Sequence, residues 1–500
     1  MIDRILSING KLILAPLLVL LVAVALSSWL SGPLAVTLAA VVLPFLFAAS
    51  YRWPRAMLVV SAIAPFADPL VLGLLIGPLL SPAFRFFSEG LLTLVGVAVM
   101  LRAWRQGTLL TAFRHPLTWW LAAFVLIAAA SAVVNGVPIL IAVAGVVFTV
   151  DAVALFYLPR MIGFSGVAAR NALLAWLGVL ALAATLAVGQ DLLDPTLLGL
   201  RTFAGTFGEG ARATAFFANP NMLGAVLGLG SPLILFAIPR QAGVRCWLLV
   251  ILGFIVMLAL VLTFSRAAWA ATVVGFGAIA LLLDRRALLI GIGLATAAVL
   301  TASVMPRNLL VGPDQLAMSG ATPSVLNSTI DRVDAIGGGH DLRTRFLLEG
   351  IPIVEDHPVL GVGPGRYGGA AASIFGTPVY AAYGTGLHGF HTIHNFWLHL
   401  LGELGALGLL AFVGMLLSVG LQLVRSARRS SGVRFVLLAG GLAGAAVMGV
   451  HSGAEMLLEG NSAAFAFWFL LGLGSAVAEP APGDASQNSP HGRVAPLTAG

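Results

Sequence analysis

Apolar runs of about 20 residues, each long enough to cross a hydrocarbon core of roughly 30 Å, follow one another along nearly all of the 500-residue chain. They do not alternate every second residue, so they predict helices rather than the strands of a barrel. The predicted spans are 12–30, 33–50, 56–77, 88–101, 116–134, 138–158, 171–189, 219–238, 246–264, 267–283, 287–304, 396–424, 435–452 and 462–478. Pro65, Asp68 and Pro69 interrupt the third run, and the fourth is short. Two polar stretches are longer than ordinary loops: the Gly-rich 190–218, and 305–395, which has room for several helices of its own. The tail has no hydrophobic face and is rich in Pro, Gly, Ala and Ser, a composition that predicts disorder. The expected organisation is therefore N-terminal transmembrane helices over 1–304, a large loop over 305–395, C-terminal transmembrane helices over 396–478 and a disordered tail over 479–500.

Composition narrows the class. The chain is 59% hydrophobic and 9% charged, against roughly 25% charged in soluble globular proteins. It reads as an all-α polytopic membrane protein with about 12–14 transmembrane helices, in contact with membrane lipids. In a soluble protein 27 Lys+Arg against 20 Asp+Glu would raise the question of a nucleic-acid partner. Here most arginines lie in short loops between apolar runs, and none is expected. If 305–395 lies outside, the inner loops carry Arg52 and Arg55, Arg102, Arg105 and Arg114, Arg160 and Arg170, Arg240 and Arg245, Arg285 and Arg286, then Arg425, Arg428, Arg429 and Arg434. The positive-inside rule then holds at every inner connection, and the tail is cytoplasmic. Residues 12–30 read as a first anchor rather than a cleaved signal peptide. Cys246 is the single cysteine, which excludes an intramolecular disulfide.

With that orientation the informative residues are the arginines left outside: Arg201, Arg212, Arg266, Arg307, Arg332, Arg343, Arg345 and Arg366. An arginine beside hydrocarbon is costly unless something anionic meets it. Arg266, in LTFSRAAWA, falls in a turn of almost no length between two apolar helices. It can snorkel or pair with a carboxylate, or it can grip a phosphate bidentately. Downstream, VLGVGPGRYGG places Gly361, Gly363, Gly365 and Gly368 where successive N–H groups could form an anion nest, or simply a tight turn. His388, His391, His394 and His399 cluster before and within an apolar helix without an HExxH frame, and no metal is expected. For His394 two readings stand: a helix-start residue satisfied by backbone, or an imidazole that orients or deprotonates an acceptor hydroxyl. Glu403, followed by Gly405 and Gly408, must face protein or water. Glu455 and Glu459 read as a solvated outer rim, and Asp151 as a packing residue.

Four segments in fixed order, RATAFFANPNMLG (212–224), TFSRAAW (263–269), an arginine and apolar helix leading to DHPVLGVGPGRYG (356–368), and HNFWLHLLGELGALGLLAF (394–412), resemble the O-antigen ligase and polymerase superfamily of bacterial envelope enzymes. The resemblance covers about 200 residues. It implies a cofactor-free glycosyltransferase with a GT-C-like helical body, in the bacterial inner membrane, with one large periplasmic loop. The implied donor is a glycan on undecaprenyl diphosphate, and the acceptor a hydroxyl on lipid A core, another glycan or a protein. By motif, Arg266 and either Arg343 or Arg345 would bind the diphosphate and His394 would engage the reaction centre. Arg212, Asn395, Glu403, Arg366, Gly363 and Gly365 are placed with them as substrate-binding residues. The stretch 376–391 matches no pattern, so the acceptor stays open. A transporter or flippase is the competing class, though its usual midplane charges and repeated halves are not what this chain displays.

Overall fold

A computed structural model describes residues 43–70, 87–164, 166–194, 197, 212–217, 219–306, 309–310, 342–376, 378–385, 393–459 and 462–478. Side chains at 67–70, 87–89 and 342–345 are not among those described. The predicted spans 12–30 and most of 33–50 lie outside the described residues, as do the tail and much of 305–395.

The described architecture is all-α and matches the apolar runs closely. The helices are α1 (Pro54–Leu70), α2 (Phe87–Arg105), α3 (Leu117–Val134), α4 (Ile139–Ile162), α5 (Gly166–Leu192), α6 (Pro220–Ala237), α7 (Gly243–Leu262), α8 (Arg266–Leu283) and α9 (Arg285–Val304). Three shorter helices, α10 (Leu342–Asp356), α11 (Gly369–Phe375) and α12 (Pro378–Ala382), precede α13 (Phe396–Ala427), α14 (Gly432–His451) and α15 (Ser462–Ala478). Among the described residues nine helices are long and apolar enough to cross a membrane, with shorter apolar helices at Pro54–Phe66 and Ser462–Ala478.

The centre of the bundle is α6, α14 and α15. Here burial runs around the whole helix rather than along one stripe, as expected of an element enclosed by others. Small residues make the approach possible. A Cβ on Gly444 of α14 would lie 2.6 Å from the Leu229 carbonyl oxygen of α6, and one on Gly275 of α8 would lie 2.4 Å from the Val447 nitrogen. Such glycine contacts let helix backbones meet where apolar attraction alone cannot select a partner. Around this centre α3 packs on α13, the second half of α4 on α15, and α7 on α5 and α9. Leu and Val side chains left exposed on α3, α7 and α9 face outward as a lipid-contacting surface should.

One end of the bundle is basic. Arg55 donates to the carbonyls of Ile162 and Gly163 at the end of α4, at 3.5 and 2.8 Å, and Arg434 to Ala478 at the end of α15, at 3.0 Å. Guanidinium groups there satisfy terminal carbonyls and oppose the negative helix end. Arg240 pairs with Asp284 at 2.6 Å and covers the Phe435 ring at 3.9 Å. A buried polar chain runs from Arg160 through Ser475 (2.6 Å) and Gln422 (2.7 Å) to His115 (3.1 Å). Leu117 N–H donates to the other nitrogen of His115. Burial first, and the Arg160 guanidinium second, hold this imidazole down to about 4, so it sits neutral among these partners. This network and the arginine–carbonyl bonds lie together at the same, basic end of the bundle.

Candidate functional site

At the end away from the basic loops, five helix termini converge. The C-termini of α7 and α14 meet the N-termini of α6, α8 and α13, and each start is capped by its own chain. Asn219 accepts from Asn221 N–H at 2.8 Å, Ser265 from Ala268 N–H at 3.4 Å, and Asn395 from Leu398 N–H at 3.0 Å. Polar residues ahead of apolar runs are satisfying orphan N–H groups. Asn395 therefore carries the helix-start role, and the imidazole of His394 lies ahead of the cap.

His394 is partly exposed, and its Nδ1 lies 3.0 Å from Oε2 of Glu455. The other Glu455 oxygen accepts from the Asn221 amide. The Asn221 carbonyl oxygen accepts from Arg212 at 3.0 Å, and Arg212 Nε donates to the Thr263 carbonyl at 2.9 Å. One hydrogen-bonded chain thus ties the turn before Arg266 to the 212–224 segment, to the end of α14 and to His394. Phe346 of α10 adds a fourth side, its ring centroid 5.9 Å from that of His394. Arg343 and Arg345 occupy the first turn of that helix, and their side chains are outside the described residues.

The backbone here is strained. Among the described residues three non-glycine positions have positive φ: Ala215 (50°), Phe264 (50°) and His394 (48°). All three lie in the segments just joined. Left-handed backbone at non-glycine residues costs of order 1–3 kcal/mol each and persists where surroundings over-determine it. Those surroundings can be named. Gln190 of α5 accepts from the N–H groups of Thr214 (3.1 Å) and Ala215 (2.7 Å) and donates to the Ala215 carbonyl. Trp269 Nε1 donates to the Leu260 carbonyl across the 263–265 turn. Phe396 N–H donates to the Ser452 carbonyl at 2.8 Å.

Glu403 and the glycine-rich loop form a neighbouring unit. Helix α13 is broken at Gly405 (φ 64°, ψ −166°), and the 358–363 segment enters the break. The N–H groups of Val362 and Gly363 donate to the carbonyls of Gly402 and Glu403, at 2.9 Å each. Ala406 and Leu407 donate to Pro358 and Val359 at 2.8 and 3.3 Å. The inserted segment thus partners two carbonyls before the break and two N–H groups after it, as a buried interruption in a membrane helix demands. The nest closes on the protein's own carboxylate: Tyr367 N–H donates to Glu403 at 3.3 Å, with the N–H groups of Gly365 and Arg366 also turned to it. Gly365 additionally backs onto Ile141 of α4, Gly363 onto Val137, and Arg366 donates to the Asn135 carbonyl at 3.2 Å.

Behind the loop, His399 Nε2 lies 3.8 Å from Glu403 and 3.5 Å from Glu459. Glu459 accepts from Ala370 N–H at 2.9 Å. Burial, then the nearby Asp151 acting against that hydrogen bond, pushes the Glu459 carboxyl up to about 8.

The arrangement brings together Arg212, His394 and the start of α8 that carries Arg266. It gives Asn395 a capping role, ties Glu403, Gly363, Gly365 and Arg366 into the loop that fills the helix break, and leaves His388 and His391 outside the described residues. The expectation of a solvated rim at Glu455 and Glu459 is corrected: both are buried, at 6% and 5% exposure. Two carboxylates after an apolar helix resemble a wet helix end, but the 452–459 turn folds back beneath α13. Gln190 and Asn221 were also missed. The Asn-Pro-Asn of 219–221 was the available signal, since a capping Asn followed by proline fixes the next side chain at a helix start. Among the described residues no His, Cys, Asp and Glu side chains group as metal ligands.

No curated protein matches the chain. Residues 247–413, from α7 through the helix break in α13, match a family described as O-antigen ligase. That segment holds Arg266, α10, the glycine-rich loop and His394. Over that third of its length this multi-pass membrane protein is similar to the O-antigen ligase family.

Proposed function

We propose that the protein transfers a glycan from undecaprenyl diphosphate to an acceptor hydroxyl at the periplasmic face of the bacterial inner membrane, by inverting, metal-independent chemistry. The observation that carries this reading is the chain of bonds from the Thr263 carbonyl through Arg212, Asn221 and Glu455 to His394. A carboxylate at Nδ1 selects the imidazole tautomer with hydrogen on that nitrogen, leaving the Nε2 lone pair directed outward. That is the form that accepts a proton.

In the proposed step the acceptor oxygen attacks the anomeric carbon and its proton passes to His394 Nε2. The bond from that carbon to the diphosphate oxygen breaks, the lipid diphosphate keeps the electron pair, and a single displacement inverts the centre. Negative charge grows on the departing oxygen. Arg266, at the first position of α8, and Arg343 or Arg345, at the start of α10, are the guanidinium groups we assign to it. Fixed cations outside bulk water stabilise such charge strongly. Arg266 also opens a helix, whose positive dipole end favours anions. The arginine-rich opposite end supports, through the positive-inside rule, a periplasmic site.

Ligation to lipid A core, polymerisation of repeats and protein O-glycosylation share this donor chemistry and differ in acceptor. Glycan analysis of a deletion strain tests the reading. Lipid-linked polymer that accumulates without attachment marks ligation, and accumulated single repeats mark polymerisation. An unchanged glycan profile in every class contradicts the proposal.

A further inference from the structure

The middle of α10 and the segment just after α12 enclose a cleft of about 390 Å³, lined by Leu348, Glu349, Pro352, Tyr383, Gly384 and Thr385. Its volume lies within the roughly 300–1,000 Å³ of small-molecule sites. Nothing in the mechanism above uses it. Its position follows from helix geometry: Phe346 packs against the His394 ring, and Glu349 stands one turn further along the same helix. With a rise of about 1.5 Å per residue, the lining of the cleft runs from about 3 Å to about 9 Å along the helix from Phe346. The cleft therefore continues along α10 from the residue that touches the His394 ring, where the sugars next to a reacting one would extend.

The lining is pinned by bonds of its own. Tyr383 donates its hydroxyl to Asp356 at 2.8 Å. Thr385 donates N–H and hydroxyl to the Tyr380 carbonyl at 3.1 and 3.3 Å, and Tyr380 donates to the Tyr367 carbonyl at 2.5 Å. The cleft wall is thereby tied to the loop that fills the break in α13. Gly384 takes a left-handed conformation (φ 59°), which brings bare backbone to the surface.

Resting on the glycan-transfer reading, we infer that this cleft is a sugar subsite, holding one or two uncharged pyranose rings of the transferred or the accepting glycan. The chemistry is specific to that class. A carboxylate accepts from adjacent sugar hydroxyls, an aromatic ring offers its face to the apolar side of a pyranose, and a hydroxyl and backbone groups complete the set. The described lining carries one carboxylate and no basic side chain, so a phosphate or uronate would be repelled where a neutral hexose is held.

Purified protein is assayed with lipid-diphosphate donors and with acceptors, each in full-length and single-sugar forms. Glu349→Gln and Tyr383→Ala, compared with wild type, should raise KM about tenfold for the longer form of one substrate and leave the single-sugar form and kcat near wild type. If the donor's KM moves, the subsite belongs to the transferred glycan; if the acceptor's moves, it belongs to the acceptor. Tyr383→Phe should keep wild-type KM, since the ring remains. Saturation-transfer NMR with a free neutral oligosaccharide should show contacts in wild type that Tyr383→Ala removes. Active wild type with unchanged KM in both variants, and no contacts by NMR, overturns the subsite alone. Inactive wild type with every donor overturns instead the glycan-transfer reading, and NMR contacts that Tyr383→Ala abolishes would then support a sugar site independent of it.

Discussion

His394 sits between two constraints that pull in the same direction. Asn395 takes over the capping of α13, and Glu455 fixes one nitrogen of the imidazole at 3.0 Å, so the ring stays out of the helix's own hydrogen bonding. The linear sequence made His394 a candidate but left capping and chemistry open, because both need a polar residue ahead of an apolar run. Glu455 was illegible for a different reason. No spacing rule relates residue 455 to residue 394, and only the turn after α14 brings them together. Glu455→Gln keeps the size of the group and removes the charge that selects the tautomer. It should lower kcat about 10²-fold with donor KM near wild type and an unchanged melting temperature, a split that mere packing damage would not produce.

At the scale of elements, the apolar runs from 116 onward appear in the structure almost residue for residue, since the hydrocarbon thickness sets their length. The interruption in α13 was invisible. Glycine inside an apolar helix reads as a close-packing residue, and Gly405 is instead the point where the helix opens to admit 358–363. The DHPVLGVGPGRYG segment and the GELG of α13 are two halves of one device, each supplying the hydrogen-bond partners that the other lacks. A Cβ on Gly405 would meet the Val359 carbonyl carbon at 2.2 Å in a left-handed conformation. Gly405→Ala should therefore cost roughly 2–5 kcal/mol, combining backbone strain with overpacking. Thermal unfolding of the detergent-purified protein measures it. A change below about 0.5 kcal/mol, the range of neutral surface substitutions, would show that the insertion does not hold the helix open.

Across the whole molecule, the division between ends organises function. One end spends its arginines on helix carbonyls and on the Asp284 pair. The other collects Arg212, Arg266, His394 and Glu455 where five helix termini meet, with α10 and the glycine-rich loop beside them. Charge bias between loops was readable in the sequence and anticipated this polarity, while the joining of three motifs into a single hydrogen-bonded chain, and the insertion of the fourth into the break in α13, required the fold.

Glycan transfer at the Arg266 and His394 end of the bundle is open to a single assay. Product formation is followed from a purified undecaprenyl-diphosphate-linked glycan, in detergent or vesicles, with EDTA present, comparing wild type with Arg266→Ala and His394→Ala. Wild type should turn over, and each variant should lose at least about 10²-fold with unchanged protein in the membrane and an unchanged melting temperature. Full turnover by both variants would contradict the assignment.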